Sequence, residues 1–429
     1  MANSSKRKQR RLLGIVVDAR DIARVRNGAK LLSRVRGAQS DEHGSVPMWK
    51  TNALFALERF SFETKVLACI LVLLVVAFLS LGVMGAAGDT YPYGIRYGLY
   101  TPLQVAQALC EQGYNMLVGI THQFQPHSNE WLRYNVPGYW AIPRRAGVVG
   151  ITIVCAELLA VSGMLYQNVF KNPIAGPSML GVTSGVSLGL MVLVVLYSTA
   201  APAMLTQRYA MCYGFGAVIL VVVIAAGRKL SGRGRPYDIV TMLLIGSILS
   251  QLLGFIVSYI TLFVMDENDY LVFYTLSQML TVSTSLVSWL ALGVASLVSF
   301  VPIWLNRYKL NALALDDQEA RLLGVNSTRI RALALICGAI MILAAQIHVG
   351  AVGLVSLLVP FLARGLFGCE FRKQLIGCMC ISPILLLVCR DITDMVPFVG
   401  EGLALGSVVS VVALPLFVVL MSREMGGLR

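Results

Sequence analysis

Charge is scarce in this 429-residue chain. Asp, Glu, Lys and Arg together make up 13% of it, against roughly 25% in an ordinary soluble domain. Apolar residues reach 57%, and the mean hydropathy is +0.73. In water a chain of this length would make about three domains. This one has too little polar surface to cover them, so its natural solvent is a bilayer. Nine cysteines are present, but no C-x-x-C pair, which argues against a disulfide or redox framework. They read as small hydrophobes. No G-x4-G-K-[ST] loop occurs, so the phosphate cradle of an NTPase is missing. No hydrolytic triad or paired-carboxylate cluster stands out. His122 and His127 lie in one outer segment without a third ligand, so no metal site is read there. His348, near a span end, reads as a satisfied interfacial residue.

Acidic residues are the rarer sign: 22 against 35 basic ones, a formal net charge of +13. Such an excess suits a nucleic-acid binder, but its distribution does not. The first fifty residues alone hold 12 Lys/Arg and 4 Asp/Glu, and most other basic residues sit at the ends of apolar runs. That is a topology signal.

Ten apolar runs are long enough to read as spans: 66–87, 145–168, 178–199, 209–227, 239–264, 285–305, 331–350, 352–367, 374–393 and 402–421. Helices rather than a barrel follow from run length and from backbone satisfaction in lipid. With the N-terminus inside, the inner segments carry 29 Lys/Arg and the outer ones 6. The positive-inside rule then places both termini in the cytoplasm, which requires an even number of spans. The expected organisation is a basic cytoplasmic extension over 1–60 and a membrane domain over 61–425. No secretory signal is expected, because the first apolar run begins too late. The extension reads as a solvated topology anchor, with contact to anionic lipid as the alternative. Residues 88–143 form an outer loop with a short helix expected at 101–109. Residues 270–280, after an acidic cluster, suit a partial or re-entrant helix.

The most informative stretch is Gln167–Gly185, QNVFKNPIAGPSMLGVTSG. Pro173 and Pro177, with Asn172 before the first, cannot be continuous helix. Gly181, Gly185 and Gly189 then recur every four residues, a stripe that permits close helix approach. The reading is a tight inner turn feeding a closely packed helix.

This pattern, Q-x4-N-P-[LI]-A-x-P-x2-L-G-x3-G, closely resembles the signature of the FecCD-type permeases of iron-chelate and cobalamin importers. Further matches run in order: Pro143–Arg144, Leu315–Val325 (LDDQEARLLGV), Gly350–Arg364 (GAVGLVSLLVPFLAR, with Pro360) and Pro415–Phe417. The resemblance covers residues 60–425. Departures mark a divergent member. Phe361 stands where the family has His, Ser356 and Asp316 replace glycines, Gly176 replaces an acid, and Ala141 replaces an arginine.

The resemblance implies an all-α polytopic protein with the type II importer permease fold, whose spans two to five and seven to ten form an inverted repeat. It implies a bacterial inner-membrane transport subunit, not an enzyme. Two such subunits, identical or paralogous, would enclose a path, with two ATPase subunits below and a substrate-binding protein above. ATP and Mg would bind on the ATPase, and this chain would hold no cofactor. The expected cargo is an iron chelate such as a siderophore, then haem, then cobalamin. Within the cytoplasmic segment 306–331, Asp316, Asp317, Glu319, Arg321, Leu323 and Gly324 are the candidate ATPase-coupling residues. Acids in a first helical turn suit the dipole, Gly324 can end the helix, and Asn326 or Ser327 can cap the next. Arg144, Arg145 and Arg390 are candidates to dock the binding protein.

Gln251, Gly254 and Ser258 share one face of the fifth span and are the pathway candidates. Glu157, about 21 Å along its helix from Pro143, is an intramembrane acid and a functional hypothesis by default. It joins the pathway set, and it also carries the rival reading, an ion-coupled secondary transporter.

Overall fold

The computed structural model describes residues 61–81, 83–84, 98–99, 102–121, 141–198, 205–230, 239–278, 285–314, 320, 325–395 and 404–426. The N-terminal extension lies outside them, as do most of the loop 88–143 expected on the outer side and the candidate coupling residues Asp316, Asp317, Glu319, Arg321, Leu323 and Gly324. The membrane unit is almost wholly helical. Its helices, in chain order, are α1 (Phe62–Leu81), α2 (Pro102–Thr121), α3 (Ala141–Phe170), α4 (Val182–Tyr197), α5 (Leu205–Leu230) and α6 (Ile239–Phe263). They continue as α7 (Glu267–Gln278), α8 (Leu286–Leu305), α9 (Arg307–Asn311), α10 (Ser327–Val349), α11 (Gly353–Phe367), α12 (Phe371–Met395) and α13 (Leu405–Gly426). A two-residue antiparallel pair, β1 (Val83–Met84) with β2 (Gly98–Leu99), follows α1.

Each of the ten expected spans has a helix. Seven are long and apolar enough to cross a membrane: α1, α3, α5, α6, α8, α10 and α12. The apolar helices α4, α11 and the Leu405–Val418 part of α13 are shorter. The expected partial helix after the acidic cluster is α7, which begins with Glu267 and Asp269 in its first turn and packs on α4. The short helix expected at 101–109 instead runs to Thr121. Pro102 opens it at the position where a missing N–H costs nothing. Gly113, at about 1 kcal/mol, is too weak a breaker to end it.

The core is built on α3, which packs along α10, α12 and α11. Contact there is set by small residues and polar groups, because lipid gives apolar helices no reason to prefer one another. A Cβ at Gly338 would stand 2.6 Å from the Tyr166 ring. The Ser162 hydroxyl donates to the Gly338 carbonyl at 2.7 Å, and the Tyr166 hydroxyl to that of Leu335 at 3.1 Å. Against α11 the approach is closer still. A Cβ at Gly163 would fall 1.7 Å from the Ser356 carbonyl oxygen. The cause is Pro360, inside α11, which has no N–H for the carbonyl four residues back. That carbonyl, Ser356, turns to the bare Gly163 Cα instead, a place for a weak C–H···O contact.

Helix ends follow the sequence chemistry. Asn326 caps α10, its side chain accepting from the Arg329 N–H at 3.2 Å. Ser285 caps α8 through the Ser288 N–H at 3.3 Å. The Lys65 ammonium donates to the Leu366 carbonyl at 2.6 Å, a cation on the negative end of α11. Beside it Phe62 meets Phe367 edge-on at 5.9 Å.

Candidate functional site

The turn after α3 is where sequence and geometry agree most fully. Lys171 leaves the helix at φ 48°. The Asn172 side chain then closes an Asx turn, accepting from the Ile174 N–H at 3.0 Å. The Ala175 N–H donates to the Asn172 carbonyl at 3.1 Å. Pro173 lies in the turn itself, and Pro177 starts a 3-10 turn, Pro177–Leu180. Gly181 ends that turn at φ 75°, a left-handed conformation that costs glycine least. Pro177, Leu180 and Gly181 are buried.

Two contacts lock this turn. Gln167 donates from Nε2 to the Leu357 carbonyl at 3.0 Å, and its Oε1 accepts from Arg364 at 3.3 Å. Gln374, a residue the sequence did not single out, donates to the Pro360 carbonyl at 3.3 Å and accepts from Asn168 at 3.5 Å. So the opening Gln of the motif and Arg364, 197 residues later, meet beside the proline-containing helix α11. On its other side the turn bears on α6. A Cβ at Gly246 would stand 2.4 Å from the Met179 carbonyl oxygen, and one at Gly181 3.1 Å from Ser250 Oγ. Beyond the turn, Gly185 and Gly189 seat α4 on the backbone of α5 at Phe215–Gly216 and at Met211. Gly350, opening the second matched motif, has φ 76° and repeats the design of a long span, a left-handed glycine and a short helix. Pro415 lies exposed within α13.

α6 packs mainly on α4, α5 and the turn and is otherwise bare. Gln251, Gly254 and Ser258 all lie exposed along it. Alongside them Phe255, Tyr259 and Phe263 form a ladder, with ring centroids 6.3 Å and 5.0 Å apart. Their spacing of four was a readable signal that the polar triplet overshadowed. Glu157 does not join this surface. It is half-buried on α3.

Two of the three candidate docking arginines form ion pairs within the chain. Arg145 is committed inside the chain. It pairs with Asp391 at 2.8 Å and with Asp394, and its Nε donates to the Ser80 carbonyl at 3.1 Å. The Ser80 hydroxyl donates to Asp391 at 2.7 Å. Arg390, 5% exposed, holds Asp394 at 3.3 Å. This network of two arginines and two aspartates ties α1, α3 and α12 together. Charges that must leave water need partners, and both acids lie on α12, where the sequence reading did not look. Arg144 lies in the first turn of α3, and its side chain falls outside the described residues. Of the candidate coupling segment 306–331, residues 306–314, 320 and 325–331 are described; Ala320 is buried, and its carbonyl accepts from the Val325 N–H at 2.9 Å.

His348 is 2% exposed. Its Nδ1 faces the Ala344 carbonyl at 2.7 Å, and its Nε2 lies 3.0 Å from the Tyr209 hydroxyl. Among the described residues no group of three or more His, Cys, Asp or Glu is placed to hold a metal.

Residues 138–423 match the model of the FecCD transport family. The chain is 31% identical over 276 residues to the Fe(3+) dicitrate transport system permease protein FecC of Escherichia coli, covering 64% of this chain and 80% of that protein. It is 29% identical over 280 residues to the hemin transport system permease protein HmuU of Yersinia pestis, covering 65% and 80%. In fold it resembles a solved structure described as an inward-facing conformation of a metal-chelate type ABC transporter. The TM-score is 0.62 at 22% identity, over 85% of this chain and 100% of that one.

Proposed function

This chain belongs to the FecCD transport family, and on that footing we propose that it is the membrane permease that carries an iron chelate into a bacterial cytoplasm. The family consists of transport subunits of ATP-binding-cassette importers, so the chain is a multi-pass inner-membrane protein and works with ATPase subunits and a permease partner. The cargo we favour is a ferric siderophore or dicitrate-like chelate, with haem and cobalamin behind it. A substrate-binding protein would deliver it on the face opposite Arg307 and Lys309, and both termini would be cytoplasmic.

The observation that carries this reading is the seating of the Asn172–Gly181 turn on α6. One side of α6 touches the turn backbone directly. Its other side offers Gln251, Gly254, Ser258 and the aromatic ladder to whatever lies beside the chain. A bulky, weakly charged chelate suits a path lined by aromatic faces and a few small polar groups. A helix that meets cargo on one side and a rigid inner turn on the other can move between inward- and outward-facing states as a body. The 306–331 segment would then take the push of the ATPase.

Affinity purification from the native membrane, with mass spectrometry of what accompanies the chain, tests the reading. A stoichiometric phosphate-loop ATPase is expected. Uptake of radiolabelled ferric chelates, haem and cobalamin by cells with and without the chain then names the cargo. A chain that purifies alone, where other transporter complexes survive, would sink the proposal. Glu157→Gln should leave uptake intact, and its abolition would favour ion coupling.

A further inference from the structure

His348 lies buried in the last turn of α10 and heads a chain of polar groups that crosses three helices. Its Nδ1 faces the Ala344 carbonyl at 2.7 Å. Its Nε2 lies 3.0 Å from the Tyr209 hydroxyl of α5. That hydroxyl donates to Ser288 Oγ of α8 at 2.8 Å, and Ser288 Oγ lies 3.0 Å from Ser285 Oγ. Ser288 is fully buried, whereas Ser285, the cap of α8, is half-buried. The chain therefore runs from a hydroxyl within reach of the surface to a histidine that is not.

The hydrogens along this chain can be counted. A carbonyl only accepts, so Nδ1 must carry a hydrogen. The Tyr209 hydroxyl has one proton and gives it to Ser288, so Nε2 must carry a hydrogen as well. That ring is an imidazolium. A neutral ring fits the same atoms once the Nε2 proton leaves. Tyr209 then donates to Nε2, Ser288 to Tyr209, and Ser285 to Ser288. Ser285 Oγ keeps the Ser288 N–H throughout. Neither form loses a bond, because a hydroxyl both donates and accepts. Arg208 stands beside the chain. Its guanidinium lies 5.6 Å from the centroid of the Tyr209 ring, and the His348 ring lies 5.4 Å from that ring on α10. α5 also brings Tyr213, 6.5 Å from Tyr209 ring to ring. α8 has no ionisable side chain in Leu286–Leu305. Among the described residues, no ionisable group of α3 or α4 is hydrogen-bonded to His348.

We infer that His348 is a reversible proton-binding site, filled and emptied from the Ser285 side. On filling, an external proton bonds to Ser285 Oγ. Ser285 passes its own proton to Ser288, Ser288 to Tyr209, and Tyr209 to Nε2. Each hydroxyl ends with one hydrogen, and the ring gains one positive charge. The chain stops at the Ala344 carbonyl, so the proton goes no further. The site registers acidity on the side opposite Arg307 and Lys309, which follow the far end of α8. It does not carry protons across the membrane, so it stands apart from ion coupling at Glu157.

The test is nuclear magnetic resonance of the full chain in nanodiscs, with the subunits that accompany it and with isotope-labelled histidine. The chain has four histidines, and the His348 signal is the one that His348→Gln removes. The titration runs from about pH 8 to about pH 4, bracketing the ~6.5 of an ordinary histidine. Hydrogen on Nδ1 alone is expected at the alkaline end, and on both nitrogens at the acid end. Hydrogen on Nε2 alone at the alkaline end overturns the inference, and so does a ring that does not titrate in this range. Tyr209→Phe and Ser288→Ala each cut the relay and should slow exchange of the Nε2 proton with water by about tenfold or more, read from the line shape. Unchanged exchange in either variant, once it gives the size-exclusion peak of the unaltered chain, overturns entry through Ser285. Should one variant fail to fold, the other and the titration of the unaltered chain still decide.

Discussion

α10 and α6 are almost equally apolar, yet 78% of the best membrane window of α10 is buried in the chain and 11% of that of α6. In water such helices would both be driven inward. In a bilayer apolar surface is already satisfied, and small residues decide which helices meet. α10 carries Gly338 beneath the Tyr166 ring and takes hydrogen bonds on its backbone from Ser162 and Tyr166. α6 spends its one tight glycine, Gly246, on the turn. It carries Phe255, Tyr259 and Phe263 where α10 has Ala344, Ala345 and other compact side chains. Compact side chains mark the frame, and bulk stays on the helix that the chain leaves bare.

Breaking the frame should have the largest effect. Gly163→Leu forces a side chain onto the Ser356 carbonyl and should cost about 3 kcal/mol or more. No monodisperse protein is expected in fluorescence-detected size exclusion. Gly254→Leu on α6, with nothing within 4 Å of its would-be Cβ, should give a normal peak, and aggregation of that variant would refute the contrast.

Next comes the outer network. Asp394→Ala strips two arginines of a shared partner, and about 3 kcal/mol should be lost, read as a fall in melting temperature. Asp394→Asn should recover part of it. Gln167→Leu leaves Arg364 and the Leu357 carbonyl short of a partner. It should cost about 1–3 kcal/mol and impair transport more than binding-protein association. The smallest effect on folding belongs to the bare helix. Phe255→Ala should move the stability of the isolated chain by no more than about 0.5 kcal/mol while cutting chelate uptake. Uptake equal to that of the unaltered chain would remove α6 from the path.

Much of this was legible in the residues. Run length located the ten apolar helices. Proline and glycine spacing located the inner turn, and Asn326 announced its cap. The partnerships were not legible. Arg145 and Asp391 are 246 residues apart, and no local period ties them, so the pairing of this docking candidate was not legible. Gln374 looked like one more polar residue until the fold brought it within reach of the Pro360 carbonyl. Phe361, the departure from the family's His, packs edge-on against Phe417 at 6.1 Å, an apolar contact where the motif would have put a polar ring. Glu157 was placed by depth alone, and depth along a helix says nothing of azimuth.

Side chains hop between rotamers, so a joint made of side chains has play. Between α6 and the inner turn there is almost none, because at Gly246 one main chain rests on another with no side chain between. In mechanical terms the contact is a gear without backlash. A tilt of α6 reaches the turn undamped, and a push on the turn returns to α6 by the same route.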